Sequence, residues 1–293
     1  MTIIAILIAL AVNHFLKGVR HLRRFDWLPA LLRLLEPALQ HLRGAAAPVG
    51  AALVLAIPLL LLALLDFAIG EWLGHLLHYL FVILVLVYCI GPRDLDIDVN
   101  RVVAARNEEE LRDAAQPLLD EPLRENVDER CDQFTSAVFR EGLLRWFAVI
   151  FWFALLGIYG ALAYRLAAWL ADNATELHEQ QNTWLRRLRA VLEWPAAQLM
   201  TLALAIAADF DTVFATWRRY HQEQGHSLFS GRHGFMLAAA VEAVRGGHAA
   251  RDGFADQLTG RMGPVRLAMD LLWRVLAVWL TILALMLLAG WLA

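Results

Sequence analysis

The sequence predicts an all-α, multipass integral membrane protein with four to six transmembrane helices and amphipathic helices in its hydrophilic loops. Three observations carry that class. The chain is 59% hydrophobic and 19% charged, with a mean hydropathy of +0.51, whereas a soluble domain is typically about 45–50% apolar and about a quarter charged. The apolar excess is gathered into long, nearly charge-free runs such as PVGAALVLAIPLLLLALLDFAI at 48–69. Those runs alternate with charged stretches at 17–47, 91–144, 165–195 and 215–266. A single membrane domain over 1–293 is the expected organisation.

Taken in order, residues 2–16 form an apolar run shorter than the ~20 residues a spanning helix needs, so it either spans or lies along the interface. It lacks the basic start and small-residue cleavage site of a signal peptide, and its basic residues Lys17, Arg20, Arg23 and Arg24 follow it instead. In DWLPALLRLLEPALQHL apolar positions recur at three and four, with Pro29 and Pro37 suited to a helix start or kink. That pattern fits a helix lying in the interface.

Residues 48–69 are a clear span with Pro58 as a kink, and 71–90 are the next. Gly70 leaves room only for a tight turn, so the two form a hairpin with Trp72 and Tyr79 toward the interface. The stretch RNEEELRDAAQPLLDEPLRENVDER reads as short exposed helices broken at Pro117 and Pro122. Further spans are expected at 146–164, 196–214 and 267–293. A polar amphipathic helix is expected over 171–194, ending at Pro195, and a Gly-rich loop region around one helix, MLAAAVEAV, over 215–266.

Lys and Arg set orientation, since acidic residues contribute little. Strict alternation places loops 17–47, 91–145 and 215–266, with 6, 8 and 7 basic residues, on one side, against 4 in 165–194. The richer side is expected to be cytoplasmic. Within 145–170, Gly157 and Gly160 leave alternatives open: a simple span, close helix packing through small residues, or a re-entrant hairpin. Non-helical backbone at membrane depth is tolerated only in contact with protein or a cavity.

Candidate chemistry is sparse. Asp270 and Arg274 are four apart on the last span and share a face, which makes them an intramembrane ion pair. Glu71, His75 and His78 fall on one helix face as weak metal-ligand candidates, although a zinc site needs three or four converging ligands. His221, His226 and His233 read as solvated loop residues, and Asp209 and Asp211 as a helix end meeting water. Cys89 and Cys131 read as free thiols. A net charge of −3 with no basic tract argues against a nucleic-acid partner. No cofactor is expected.

The segment FWFALLGIYGALAYRL, followed later by VLEWPAAQL, resembles the membrane proteins of the AmpE and CobD/CbiB superfamily. The loop HSLFSGRHGFMLAAAVEAV looks like a degraded form of a second family segment. The order of apolar elements extends the resemblance over nearly the whole chain, though its sequence-specific part is about fifty residues. The CobD/CbiB enzymes join an aminopropanol unit to cobyric acid using ATP, and they carry polar motifs that this chain lacks. Against their Glu-Asn-Thr and Asp-Gly stand Arg140, Glu141, Gly142, Leu143 and Leu144. Their Asn-Thr-Leu-Asp after the AYR is matched by Ala168, Trp169, Leu170 and Ala171, and their Ser-Pro-Asn-Ala-Gly by Phe229, Ser230, Gly231, Arg232 and His233.

The resemblance therefore implies the AmpE branch, non-catalytic proteins of the bacterial inner membrane linked to β-lactamase induction and cell-wall recycling signals. It implies large loops mainly in the cytoplasm and contact with the lipid bilayer. A cytoplasmic or membrane protein partner would meet loop 91–144, and a homo-oligomer is compatible with it. A cobinamide-phosphate-synthase-like enzyme is the alternative, with Glu108–Glu110 or Asp209 and Asp211 supplying carboxylates.

Overall fold

A computed structural model describes residues 2–15, 25–42, 47–72, 74–90, 95–173, 177, 179–223, 233–249 and 262–290. Among them the regular structure is helical throughout. The helices are α1 (Thr2–Phe15), α2 (Leu28–His41), α3 (Ala47–Trp72), α4 (Gly74–Cys89), α5 (Leu95–Ala104), α6 (Glu108–Ala115) and α7 (Val127–Gly142). A π turn, Leu143–Phe147, leads into α8 (Ala148–Asn173). Then follow α9 (Glu179–Ala207), α10 (Phe210–Glu223), α11 (Gly234–Ala249) and α12 (Gly263–Leu288).

Four helical stretches are long and apolar enough to cross a membrane: Pro48–Glu71, Val127–Asn173, Glu179–Ala207 and Gly263–Leu288. The shorter apolar helices Thr2–Asn13 and Gly74–Cys89 accompany them. The chain packs as two compact units, one of Met1–Pro92, Ala148–Glu193 and Gly290–Ala293, the other of Arg93–Phe147 and Trp194–Ala289.

In the first unit α3 and α4 form the expected hairpin, but the turn expected at Gly70 is displaced: α3 continues through Gly70 to Trp72, and the chain reverses by Gly74, whose φ of +80° only glycine adopts without strain. Leu60, Leu64 and Phe67 of α3 and Leu76 and Leu80 of α4 stand exposed, Leu76 at 83%. Such a surface is stable only when lipid or another apolar phase covers it. The opposite side of α4 carries the buried Leu86, Val87 and Cys89, and α4 packs on α1 and α8. Ala5, Ile6 and Ala9 are buried on α1, two of them small and four apart, which lets neighbouring backbone approach closely. Amphipathic α2 buries Leu28, Leu32 and Leu39 and leaves Arg33, Glu36 and Gln40 outside. The Gln181 amide donates to the carbonyls of Leu39 and Leu42, occupying acceptors that the end of α2 leaves open.

Two expected boundaries are corrected. The polar helix expected to stop at Pro195 and the span expected over 196–214 are one helix, α9, with Pro195 inside it. A proline costs one ladder bond and a steric clash, and here the buried face of Ala196, Ala197, Met200, Ala203 and Leu204 carries the helix onward. That helix stops at Ala207, and Asp209 begins α10 by accepting the Thr212 amide at 3.0 Å. An Asp at this position satisfies an amide that the new helix cannot pair internally.

In the second unit the charged stretch after α4 is helical, with its break at Gln116–Asn126 holding both Pro117 and Pro122 as expected. Its helices are amphipathic rather than simply exposed. Leu111, Ala114 and Ala115 of α6 and Phe134, Val138 and Phe139 of α7 are buried, while Glu109, Asp113 and Glu129 face outward. α7 packs on α11 and α12. At the π turn Trp146 meets Trp273, ring centroids 5.0 Å apart, and Phe147 meets Trp279 edge-on at 5.5 Å.

Candidate functional site

The signature stretch at 145–170 does not form a straight helix. Gly157 has φ +62° and ψ −150°, a region open to glycine alone, in the middle of α8. A Cβ on Gly160 would lie 2.4 Å from the carbonyl oxygen of Trp152. Eight residues of straight α-helix span about 12 Å, so the chain bends sharply back between these residues. The bend divides α8 into two arms, and polar side chains gather at its tip and along its second arm.

At the tip, Tyr159 donates to Oδ2 of Asp66 at 2.6 Å and His78 Nε2 lies 2.9 Å from Oδ1. One carboxylate thus joins α3, α4 and α8. Along the second arm, the buried Tyr164 hydroxyl donates to Oε1 of Glu193 at 3.3 Å. Arg189 Nε meets the same oxygen at 2.6 Å, and its Nη1 pairs with Asp172. The guanidinium of Arg165 lies 5.9 Å over the Phe25 ring, which packs on Tyr88 at 4.9 Å. Trp27 Nε1 donates to the Tyr88 hydroxyl at 2.9 Å. Arg189, Glu193 and Asp172 are mutually paired, as burial requires.

The second unit holds its own buried polar cluster at the π turn. Arg145 Nε contacts Oε2 of Glu141 at 2.8 Å and Nη1 contacts Oδ2 of Asp98 at 3.2 Å. Asp98 is fully buried and Arg145 is 7% exposed. A π turn inserts an extra residue per turn and is often found where a helix serves a function.

The residues expected from the sequence are distributed differently. Asp270 and Arg274 both lie exposed on α12, and the ion pairs found among the described residues involve other groups. Glu71 and His75 are exposed, and His78 turns to Asp66 instead. Among the described residues no group of three or more His, Cys, Asp or Glu converges as a metal site. The reason is geometric: Glu71 lies at the end of α3, whereas His75 and His78 lie on α4 beyond Gly74, so the three do not share the one helix face expected of them.

His221 sits within an aromatic ladder, 4.4 Å from Trp217 and 5.4 Å from Phe235, and His233 is buried rather than solvated. His226 lies outside the described residues. Thr212 holds the Asp209 carboxyl below the ordinary carboxylate range, first through its hydroxyl and then through its amide. Cys89 and Cys131 are buried thiols outside any disulfide. Asp66, Tyr159, Glu193 and Asp98 are not among the residues expected from the sequence; a lone carboxylate inside an apolar run is the signal that points to Asp66.

This architecture and these sites define an all-α multipass membrane protein with buried, mutually paired polar groups around a bent helix. Comparison with family models, with curated proteins and with solved structures finds no match to the chain.

Proposed function

We propose that this protein is a regulatory or signalling accessory protein of the bacterial inner membrane, of the AmpE type, acting without catalysis of its own. Its role in this reading is to link cell-wall recycling signals to β-lactamase induction. The supporting observation is the environment of the positions where the related enzymes carry polar motifs. Leu143, Ala168 and Leu170 are buried apolar residues here. ATP-dependent amide formation needs metal-holding carboxylates and donors aimed at developing charge, and a methyl-lined core supplies neither. The polar groups nearby are engaged with one another, Arg145 with Glu141 and Asp98, and Arg189 with Asp172 and Glu193.

In this reading the outward charged faces of α6 and α7 meet a protein partner on the cytoplasmic side, the side that the Lys and Arg excess favours for them. Deleting the gene and measuring β-lactamase activity with and without a β-lactam tests the proposal, and an altered induction response is expected.

The second reading, a cobinamide-phosphate-synthase-like enzyme, draws on Asp98 and Glu141, carboxylates beside the first motif position. Complementation of a cobinamide-synthesis mutant by the well-expressed chain decides for it.

A further inference from the structure

We infer that α8 is a re-entrant hairpin, entering and leaving the membrane on one side, and that Asp66 latches its tip. The first argument is direction. Tyr159, just past the bend, donates to Asp66, whose other carboxylate oxygen meets His78 beside the α3–α4 turn. Arg165, six residues on, lies over Phe25. Phe25 packs on Tyr88, near the opposite end of α4. Ten helical residues separate His78 from Tyr88 by about 15 Å, so the second arm runs away from the α3–α4 turn.

The second argument is that both arms reach one place on α9. Trp152 Nε1, before the bend, donates to the Leu192 carbonyl at 3.0 Å, and Tyr164, after it, donates to Glu193. Twelve residues of straight helix would separate those side chains by about 18 Å. The third is connectivity. α4 ends at Cys89, away from the turn, and the described helices α5 and α6 and the charged α7 hold no apolar run able to cross before the π turn. The first arm therefore starts from the side where α4 ends, and the second arm returns to it.

A reversal at membrane depth is tolerated only against protein, and the tip is held there by one carboxylate. Asp66 lies six residues, about 9 Å, from the end of α3 within an apolar helix. Ionisable groups in such segments are costly and persist where they act. Here the carboxylate accepts from both Tyr159 and His78, which fixes the tip to the hairpin. Other titratable groups near it are Glu71 and His75, both exposed, and Tyr79. α1 brings no Asp, Glu, Lys, Arg or His over Thr2–Asn13.

The test uses the full-length chain with Cys89→Ala and Cys131→Ala and single reporters Glu71→Cys, Asn173→Cys or Leu156→Cys. Membrane-impermeant maleimide is applied to spheroplasts and to inverted vesicles. The re-entrant arrangement places Glu71→Cys and Asn173→Cys on opposite faces; labelling of both from the same face overturns it. The latch predicts that Tyr159→Phe raises the labelling rate of Leu156→Cys about tenfold, the scale of one lost hydrogen bond. Asp66→Asn, which preserves shape, is expected to act in the same direction. Unchanged rates in both variants, with elution profiles matching the parent chain, overturn the latch.

Discussion

Arg145 and Asp98, forty-seven residues apart, meet at 3.2 Å with both side chains withdrawn from solvent. Removing Asp98 leaves Arg145 with Glu141 as a carboxylate partner in a poorly solvating interior, and breaking a buried pair costs about 3–5 kcal/mol. Asp98→Ala is expected to destabilise the second unit on that scale in thermal unfolding followed by circular dichroism in detergent. The double change Asp98→Leu with Arg145→Met is expected to be milder, because both charges of the pair leave together and Glu141 keeps Arg140 at 3.7 Å. Equal loss in single and double variants would show that the pair is not what makes Asp98 necessary.

Gly157 and Gly160 answer to different constraints. Gly157→Ala puts a Cβ at φ +62°, ψ −150°, a cost of about 1–3 kcal/mol. Gly160→Ala drives a Cβ to within 2.4 Å of a backbone oxygen, so the two arms must separate. Both variants are expected to lower the melting temperature, and Gly160→Ala is also expected to speed amide exchange in the second arm. A Gly160→Ala protein with parental exchange rates would argue against the tight bend.

Asn107 caps α6 by accepting the Glu110 amide at 2.8 Å, while the Glu110 carboxylate reaches back to the Arg106 amide at 2.9 Å. Asn107→Ala is expected to cost about 1 kcal/mol and Asn107→Asp much less. Amide exchange localised to Glu108–Leu111 is the measurement; a loss spread over the whole unit would contradict a local cap.

Asp209 carries a pH dependence with a defined sign. Its folded carboxyl lies below the ordinary range because Thr212 donates to the ionised form. The stabilisation is therefore complete above the unfolded value near ~4 and is lost as pH falls through the lower folded value. The first turn of α10 should fray under acid in the parent chain, and Asp209→Asn should abolish that pH dependence. A titration of the Thr212 amide resonance in the parent and variant chains checks both.

Much of the fold was legible because lipid imposes length and purity on a sequence. The apolar runs of α3 and α12 stand out without knowledge of any contact, and Pro117 and Pro122 mark the break between α6 and α7. The bend was legible only as alternatives, since a straight span and a folded-back segment of the same length have the same composition. Gly157 marks where such a turn is allowed, and only the contacts of Trp152, Tyr159 and Tyr164 decide whether it happens.

Pro195 misled for a related reason: its local penalty is visible in sequence, while the packing that overcomes it is not. The tip site was the least legible. Asp66 and Tyr159 lie ninety-three residues apart, and nothing local to either indicates the other. Arg145 and Arg189 were visible as basic residues at the edges of apolar runs, each with a glutamate four residues away, Glu141 and Glu193, but their second partners, Asp98 and Asp172, come from elsewhere in the fold.

The most direct test of the functional proposal is the β-lactamase induction ratio in a deletion strain carrying either an empty vector or a plasmid copy of the gene. The proposal predicts a ratio that changes on deletion and returns with the plasmid copy. It further predicts that the plasmid copy leaves a cobinamide-synthesis mutant unrescued. An induction ratio indifferent to the gene, together with rescue of that mutant, would contradict it.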